Sequence, residues 1–318
     1  MTQELRLSRR QLLQSAGATL ALSTLAQPAL AQASAPRTAA PVKSAWDGRY
    51  FQFVLVADTP VADPLQKPAA ASIAAALEGE VGAARLATSV QHIRLFEDRV
   101  DFLIHGGNLL QELPYDQLVD YWRFETAMDR AAGELRQLRL PVYLAYGAQD
   151  YRTRGLSRAQ THDLFRAKLG VEPFTSFEHH GWRFVVANSF YASAEEGVAQ
   201  LGQAQLDWLE RSLRDGLPTV LVLHTLPSTA EDAQTPDADR FYALVEAHRE
   251  NIAQIFCATW TDAAEFSLGS VPVQAIAAMR HDQDSMVVVR VDTQTRRIDF
   301  VNEWGTAFLT APLPSSLA

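Results

Sequence analysis

The sequence predicts a mixed α/β protein in which two sheets pack together with helices outside. Two observations carry that prediction. Runs rich in β-branched and aromatic residues recur along the chain, and segments between them show the 3.6-residue period of helices. The order is βαβαβα, then mixed strands, then a strand-rich last third, which suits two packed sheets. Several apolar runs also stop abruptly in polar or Gly-containing loops, as buried strands do when their carboxyl ends carry a site.

Strand signals fall at Tyr50–Ala57, Val100–His105, Pro141–Ala145, Trp182–Ala187, Thr219–His224, Asn251–Cys257, Val271–Ala277, Ser285–Val291 and Arg297–Asn302. Helical periodicity falls between them. Ala84–Glu97 sets Leu86, Val90, Ile93 and Phe96 or Glu97 near one face, and Tyr115–Leu135 repeats Leu118, Trp122, Glu125 or Thr126 and Met128. Gln203–Leu213 repeats Leu206, Leu209 and Leu213, with Trp208 beside them. Asp292–Arg296 reads as a hairpin connection, and Thr225–Asp239, acidic and Pro-containing, as a surface loop over strand ends.

The chain opens with Ser8-Arg9-Arg10-Gln11-Leu12-Leu13, a short apolar stretch and Ala29-Leu30-Ala31. That pattern reads as a twin-arginine secretory signal over residues 1–31, too short and too rich in Ala, Ser and Thr to anchor in a bilayer. A flexible leader rich in Ala and Pro follows over 32–46, then one domain over 47–303 and a C-terminal tail over 304–318. The expected location is therefore periplasmic or secreted, with no integral membrane segment after signal cleavage. The whole chain holds 28 basic and 37 acidic residues; without residues 1–31 the balance becomes 25 to 36, a net charge of −11. Such a chain gains no electrostatic drive toward nucleic acid or anionic lipid. Cys257 is alone, so no intrachain disulfide forms.

Five strand ends carry the residues of chemical interest: Asp58-Thr59-Pro60, Gly107-Asn108-Leu109-Leu110-Gln111, Gly147-Ala148-Gln149-Asp150, His224, and Ala258-Thr259-Trp260-Thr261. In their order and spacing they resemble the metal-binding loops of the calcineurin-like metallophosphoesterases. The resemblance spans about Tyr50 to Asn302 and includes the Gly106-Gly107 pair, the Tyr146-Gly147…Asp150-Tyr151 turn and the Gln205–Leu209 helix. It implies a four-layer α/β/β/α sandwich of two mixed sheets flanked by helices. Two divalent cations about 3.5–4 Å apart would then activate water and stabilise phosphoryl oxygens.

The family's ligands are mostly replaced. Asp58 matches the first carboxylate, but Pro60 stands where the family has His. Asn108 replaces the bridging Asp, Ala148 the Asn ligand, and Gln149 the His credited with protonating the leaving group; Asp150 ends that motif. His224 is kept. Thr259 and Thr261 replace both histidines of the last motif. The residual catalytic set is thus Asp58, Asn108 and His224, with Gln149 and Asp150 at the acid motif, and the residual metal set is Asp58, Asn108 and His224. No cofactor is expected, and a single weakly held divalent metal is the most this set suggests. His105, His179 and His180 are further candidate ligands, although a lone His is more often structural. Metal-free proton transfer among Asp58, Asp150 and His224 is conceivable, but their capping of loops is the plainer reading.

The resulting expectation is an exported protein of this fold that has lost dimetal hydrolysis and binds a ligand or protein partner through the old cleft. Trp260 and the loop Leu226–Asp239 would border that cleft. The competing expectation is a divergent phosphoesterase that still hydrolyses phosphate mono- or diesters with an unusual or single metal site. A third is a purely structural or interaction protein exported with a partner subunit. No G-x-S-x-G elbow, P-loop or G-x-G-x-x-G is present to support other hydrolase or nucleotide-binding chemistry.

Overall fold

The computed structural model describes residues 48–62, 73–111, 126–152, 156–193, 197–228, 235, 237–260, 263–279 and 286–301. The signal, leader and tail read from the sequence lie outside these residues, as do Thr261 and much of the loop Thr225–Asp239.

Among the described residues, eleven strands form two sheets. The first has the order β11-β10-β1-β2-β3. Its strands are β1 (Tyr50–Val56), β2 (Phe102–His105), β3 (Val142–Leu144), β10 (Val287–Asp292) and β11 (Arg297–Val301). The second has the order β4-β5-β6-β7-β9-β8. It comprises β4 (Thr175–His179), β5 (Trp182–Val186), β6 (Thr219–Leu223), β7 (Ile252–Trp260), β8 (Ala264–Leu268) and β9 (Val271–Ala277). In the first sheet β1, β2 and β3 run parallel, with the β10–β11 hairpin antiparallel beside β1. In the second β5, β6, β7 and β9 run parallel, and the flanking strands β4 and β8 antiparallel. Parallel centres place the carboxyl ends of successive strands side by side, and that is where a site can be assembled.

Alternation along β1 sends Phe51, Phe53 and Leu55 to one face and Val54 and Val56 to the other, and both faces are buried. The first face meets Phe102, Trp182, Phe184, Phe256 and Val289 between the two sheets. The second packs on three helices, α1 (Ile73–Arg94), α2 (Ala127–Leu135) and α3 (Arg158–Leu169), through Leu86, Val90, Ile93, Met128 and Phe165. On the far side of the second sheet, α4 (Gln203–Ser212) and α5 (Ala238–Ala247) close a third apolar seam with Leu206, Leu209, Phe241 and Val245. Helices, sheet, sheet and helices make the four-layer α/β/β/α sandwich that the sequence implied.

Several elements differ from the reading of the sequence. Helix α1 starts at Ile73 and stops at Arg94, so Phe96 falls in the turn beyond it and Glu97 opens a short 3-10 helix, Glu97–Arg99. Within the described residues the predicted Tyr115–Leu135 helix begins at Ala127. Thr126 is its N-cap: its hydroxyl accepts the Asp129 backbone N–H, while the Asp129 carboxylate accepts the Thr126 backbone N–H and hydroxyl. Helix α5 begins at Ala238, inside the end of the expected surface loop. Strands β4 and β8 and helix α3 are additional to the elements expected from the sequence. The Asp292–Arg296 connection is a hairpin as expected; Asp292 Oδ1 accepts the backbone N–H groups of Gln294 and Thr295, an Asx turn that needs no Asn-Gly pair.

Candidate functional site

The loops after β1, β2, β3 and β6 meet at one end of the sandwich. Leaving β1, Asp58 adopts a left-handed conformation (φ 55°), and leaving β2 so does Asn108 (φ 53°). Each such residue costs about 1–2 kcal/mol unless its surroundings impose it. They are imposed by backbone pairing between the loops: Asp58 N–H donates to Gly107 O at 3.0 Å and Val61 N–H to Leu109 O at 2.9 Å. A third loop crosses them so closely that side chains are excluded. A Cβ on Gly107 (φ 102°) would lie 2.7 Å from the Gly147 nitrogen, and one on Gly147 would lie 2.2 Å from Asn108 Oδ1.

Asn108 is the hub. Its Nδ2 donates to Asp58 Oδ1 at 2.7 Å, its Oδ1 accepts the Gln149 backbone N–H at 2.9 Å, and its own backbone N–H donates to Asp150 Oδ2 at 2.8 Å. Asp150 also accepts the backbone N–H of Gly147 at 2.8 Å and of Leu110 at 2.9 Å. Burial pushes the Asp150 carboxyl up to about 7, against the pull of those three N–H donors. Asp150 therefore ties the β2 and β3 loops together as an acceptor, the loop-capping role.

His224 follows β6 and reaches the first sheet: its Nδ1 lies 2.8 Å from Gly106 O. A carbonyl only accepts, so Nδ1 carries the proton and Nε2 holds the lone pair. Asp58 Oδ2 is buried and takes no hydrogen bond among the described residues. Asp58, Asn108, Gln149, Asp150 and His224 thus converge, as the strand ends suggested. The side chains of Thr259 and Trp260 lie outside what is described.

The additional histidines separate. His105 sits beside the site but offers no lone pair: Nδ1 accepts the Gly107 N–H at 3.2 Å, so Nε2 carries a proton and faces the Thr59 hydroxyl at 2.8 Å. Full burial, aided by His224, lowers its pKa to about 3, so the ring stays neutral. His179 and His180 precede β5 rather than follow a parallel strand, which puts them at the opposite end of the sandwich. The signal was in the sequence: a residue before a parallel strand cannot share an end with residues after one.

The family implied by the sequence would place two cations here, and the donors do not fit such a pair. The bridging position holds an amide whose N–H points at Asp58, so the contact has the polarity of a donor rather than a ligand. Asn108 Oδ1 is already accepting a backbone N–H. Among the described residues, Asp58 Oδ2, Gln149 Oε1 and the His224 Nε2 lone pair are the remaining atoms of metal-ligand character: one carboxylate, one amide and one imidazole, short of the bridged donor set that two cations need.

A solved structure shares the architecture. A dimetal phosphatase from Danio rerio superposes with a TM-score of 0.52 at 14% identity, covering 79% of this chain and 93% of that one. The fold is that of the metallophosphoesterases. An archaeal phosphodiesterase aligns at 9% identity (TM-score 0.36, 79% of this chain and 99% of that one). GAP50, the anchor in the inner membrane complex of Plasmodium, aligns at 10% identity (TM-score 0.46, 80% and 89%). No family model matches the sequence, and no curated protein matches it. At these identities the metallophosphoesterase likeness speaks to the fold alone, and the chemistry rests on this chain's own residues.

Proposed function

We propose that this protein is an exported metallophosphoesterase-fold pseudoenzyme that has lost dimetal phosphoester hydrolysis and acts by binding a ligand or protein partner through the former cleft. The observation that carries the reading is the Asn108 bridge. An amide donating to Asp58 and accepting from Gln149 performs, without any cation, the loop-joining task that a metal pair with a bridging carboxylate performs in a dimetal site. Beside it, Ala148, Tyr151, Arg152, Arg158, Phe190 and Gly197 line a cavity of about 150 Å³. Export is read from the Arg9-Arg10 signal. Among the described residues no helix is long and apolar enough to cross a membrane.

A divergent, still active phosphoesterase is the second reading, favoured by the buried, unsatisfied Asp58 Oδ2. One experiment separates them. Purified mature protein is assayed for phosphomonoester and phosphodiester hydrolysis with added Mn²⁺, alongside Asp58→Ala and His224→Ala. The pseudoenzyme reading expects no turnover in any of the three. Turnover in the wild type that disappears in both variants would overturn it.

A further inference from the structure

We propose that Asp101, His179 and His180 form a divalent-metal site of the zinc class at the end of the sandwich opposite the cleft. One donor atom from each residue lies within 4.8 Å of the others. Asp101 comes from the first sheet, immediately before β2. His179 and His180 come from the β4–β5 hairpin of the second.

Asp101 is held in place: its side chain is 2% exposed and its Oδ2 accepts the Gln52 backbone N–H at 3.0 Å. That bond directs Oδ1 toward His179 Nε2, 3.5 Å away. This is too long for a hydrogen bond, and Nε2 is buried with no hydrogen-bond partner among the described residues. A carboxylate oxygen and an imidazole nitrogen therefore face each other across a gap that neither closes. Two ligands on one tetrahedral ion with bonds near 2.0–2.1 Å stand about 3.3 Å apart, so the gap has the spacing of a shared cation.

His180 supplies the third donor at a conformational cost. With Gly181 it makes the two-residue turn of the hairpin, and both are left-handed (φ 48° and 77°). Asn-Gly suits such a turn best; a histidine there is held in a backbone conformation that side chains rarely adopt. The turn lays the His180 ring on Phe51 (14°, 5.7 Å) and edge-on to His179 (87°, 4.5 Å). His179 itself stands edge-on to Phe51 and Phe102 at 5.0 and 5.2 Å, so its ring is fixed toward Asp101. His180 is exposed, and its donor atom already lies within 4.8 Å of the other two. Two imidazoles and one carboxylate suit Zn²⁺ and its first-row neighbours and are poor hosts for Mg²⁺ or Ca²⁺. A bound ion would pin the two sheets together.

The test titrates EDTA-stripped mature protein with Zn²⁺ by calorimetry, and with Co²⁺ by visible absorption. One equivalent is expected in the wild type and in the Asp58→Ala/His224→Ala double variant. His180→Asn, which fits the turn, and Asp101→Asn are each expected to weaken binding roughly ten-fold or more. Absence of Zn²⁺ binding in the wild type, or His180→Asn titrating like the wild type, overturns the site. Binding abolished by the cleft double variant overturns it as well, and places the ion in the cleft, which would count against the pseudoenzyme reading. A hydrolytic wild type that still binds zinc at His180 would instead sink only that reading.

Discussion

Asn108 and Asp58 meet as amide and carboxylate, Nδ2 to Oδ1 at 2.7 Å, in a site where two carboxylates would have to be held together by cations. The polarity of that one contact can be reversed. Asn108→Asp removes the donor and sets two buried acids against each other, so the metal-free protein should lose roughly 2–4 kcal/mol. Melting with EDTA and with Mn²⁺ checks it. The variant, unlike the wild type, should regain stability with Mn²⁺, and identical curves with and without the ion would refute the bridge as drawn.

Asp150 should matter for folding rather than turnover. Asp150→Ala strips the acceptor from three backbone N–H groups at Asn108, Leu110 and Gly147. Buried donors left unmade cost about 1–3 kcal/mol each before relaxation, and a total loss of roughly 3–5 kcal/mol is expected in urea unfolding. A change below about 1 kcal/mol would contradict the network.

The crossing of loops makes a sharper steric prediction. Gly147→Ala drives a methyl group to 2.4 Å from the Asn108 backbone nitrogen, and overpacking of that kind costs about 1–3 kcal/mol. Gly133→Ala, at a position where an added Cβ meets nothing within 4 Å, is the control and should leave the denaturation midpoint unchanged or slightly raised.

Acid should weaken the protein through two neutral histidines. Burial lowers His105 from 6.5 to about 3 and His162, which bonds the Tyr151 hydroxyl, to about 4. A depressed folded value means that the unfolded chain binds the extra protons. Their contribution is complete above pH 6.5 and is lost as pH falls toward 3–4. Asp150, raised to about 7, tilts the opposite way as pH rises to that value. The variant therefore isolates the effect: the stability gap between wild type and His105→Gln should narrow between about pH 7 and about pH 5. A constant gap would mean that His105 is not held neutral.

Export has its own check. Arg9→Lys/Arg10→Lys should leave the precursor in the cytoplasm of a bacterial host while the wild type is recovered, shortened, from the periplasm. Fractionation and immunoblotting decide it.

Central strands were legible because apolar runs announce them. Arg158–Leu169 was not, since only Thr161, His162, Leu164 and Phe165 are buried and the rest of the helix is mostly polar. Its punctuation was nonetheless present in the Ser157-x-x-Gln160 capping box and the left-handed Gly170 after the last turn. Strand β4 lies half exposed at a sheet edge without clean alternation, whereas β8, at the opposite edge, does alternate, Ala264, Phe266 and Leu268 against the exposed Glu265 and Ser267, a five-residue signal that was there to be read. At the site, residue identities showed which strand ends carry polar groups. They could not tell that Asn108 would bond Asp58, because the left-handed turns at both residues depend on loops far apart in sequence.

The hairpin that completes the first sheet carries a kinetic implication. Tyr50 pairs with Asp292, and the Arg49 guanidinium clasps that same Asp292 across 243 residues. Strand β1 thus waits for almost the whole chain before its outer neighbour exists. Contacts of such sequence separation are slow to form. The native sheet therefore waits on residues 287–301, and a translocation route that accepts only finished proteins would allow this chain the time its topology demands.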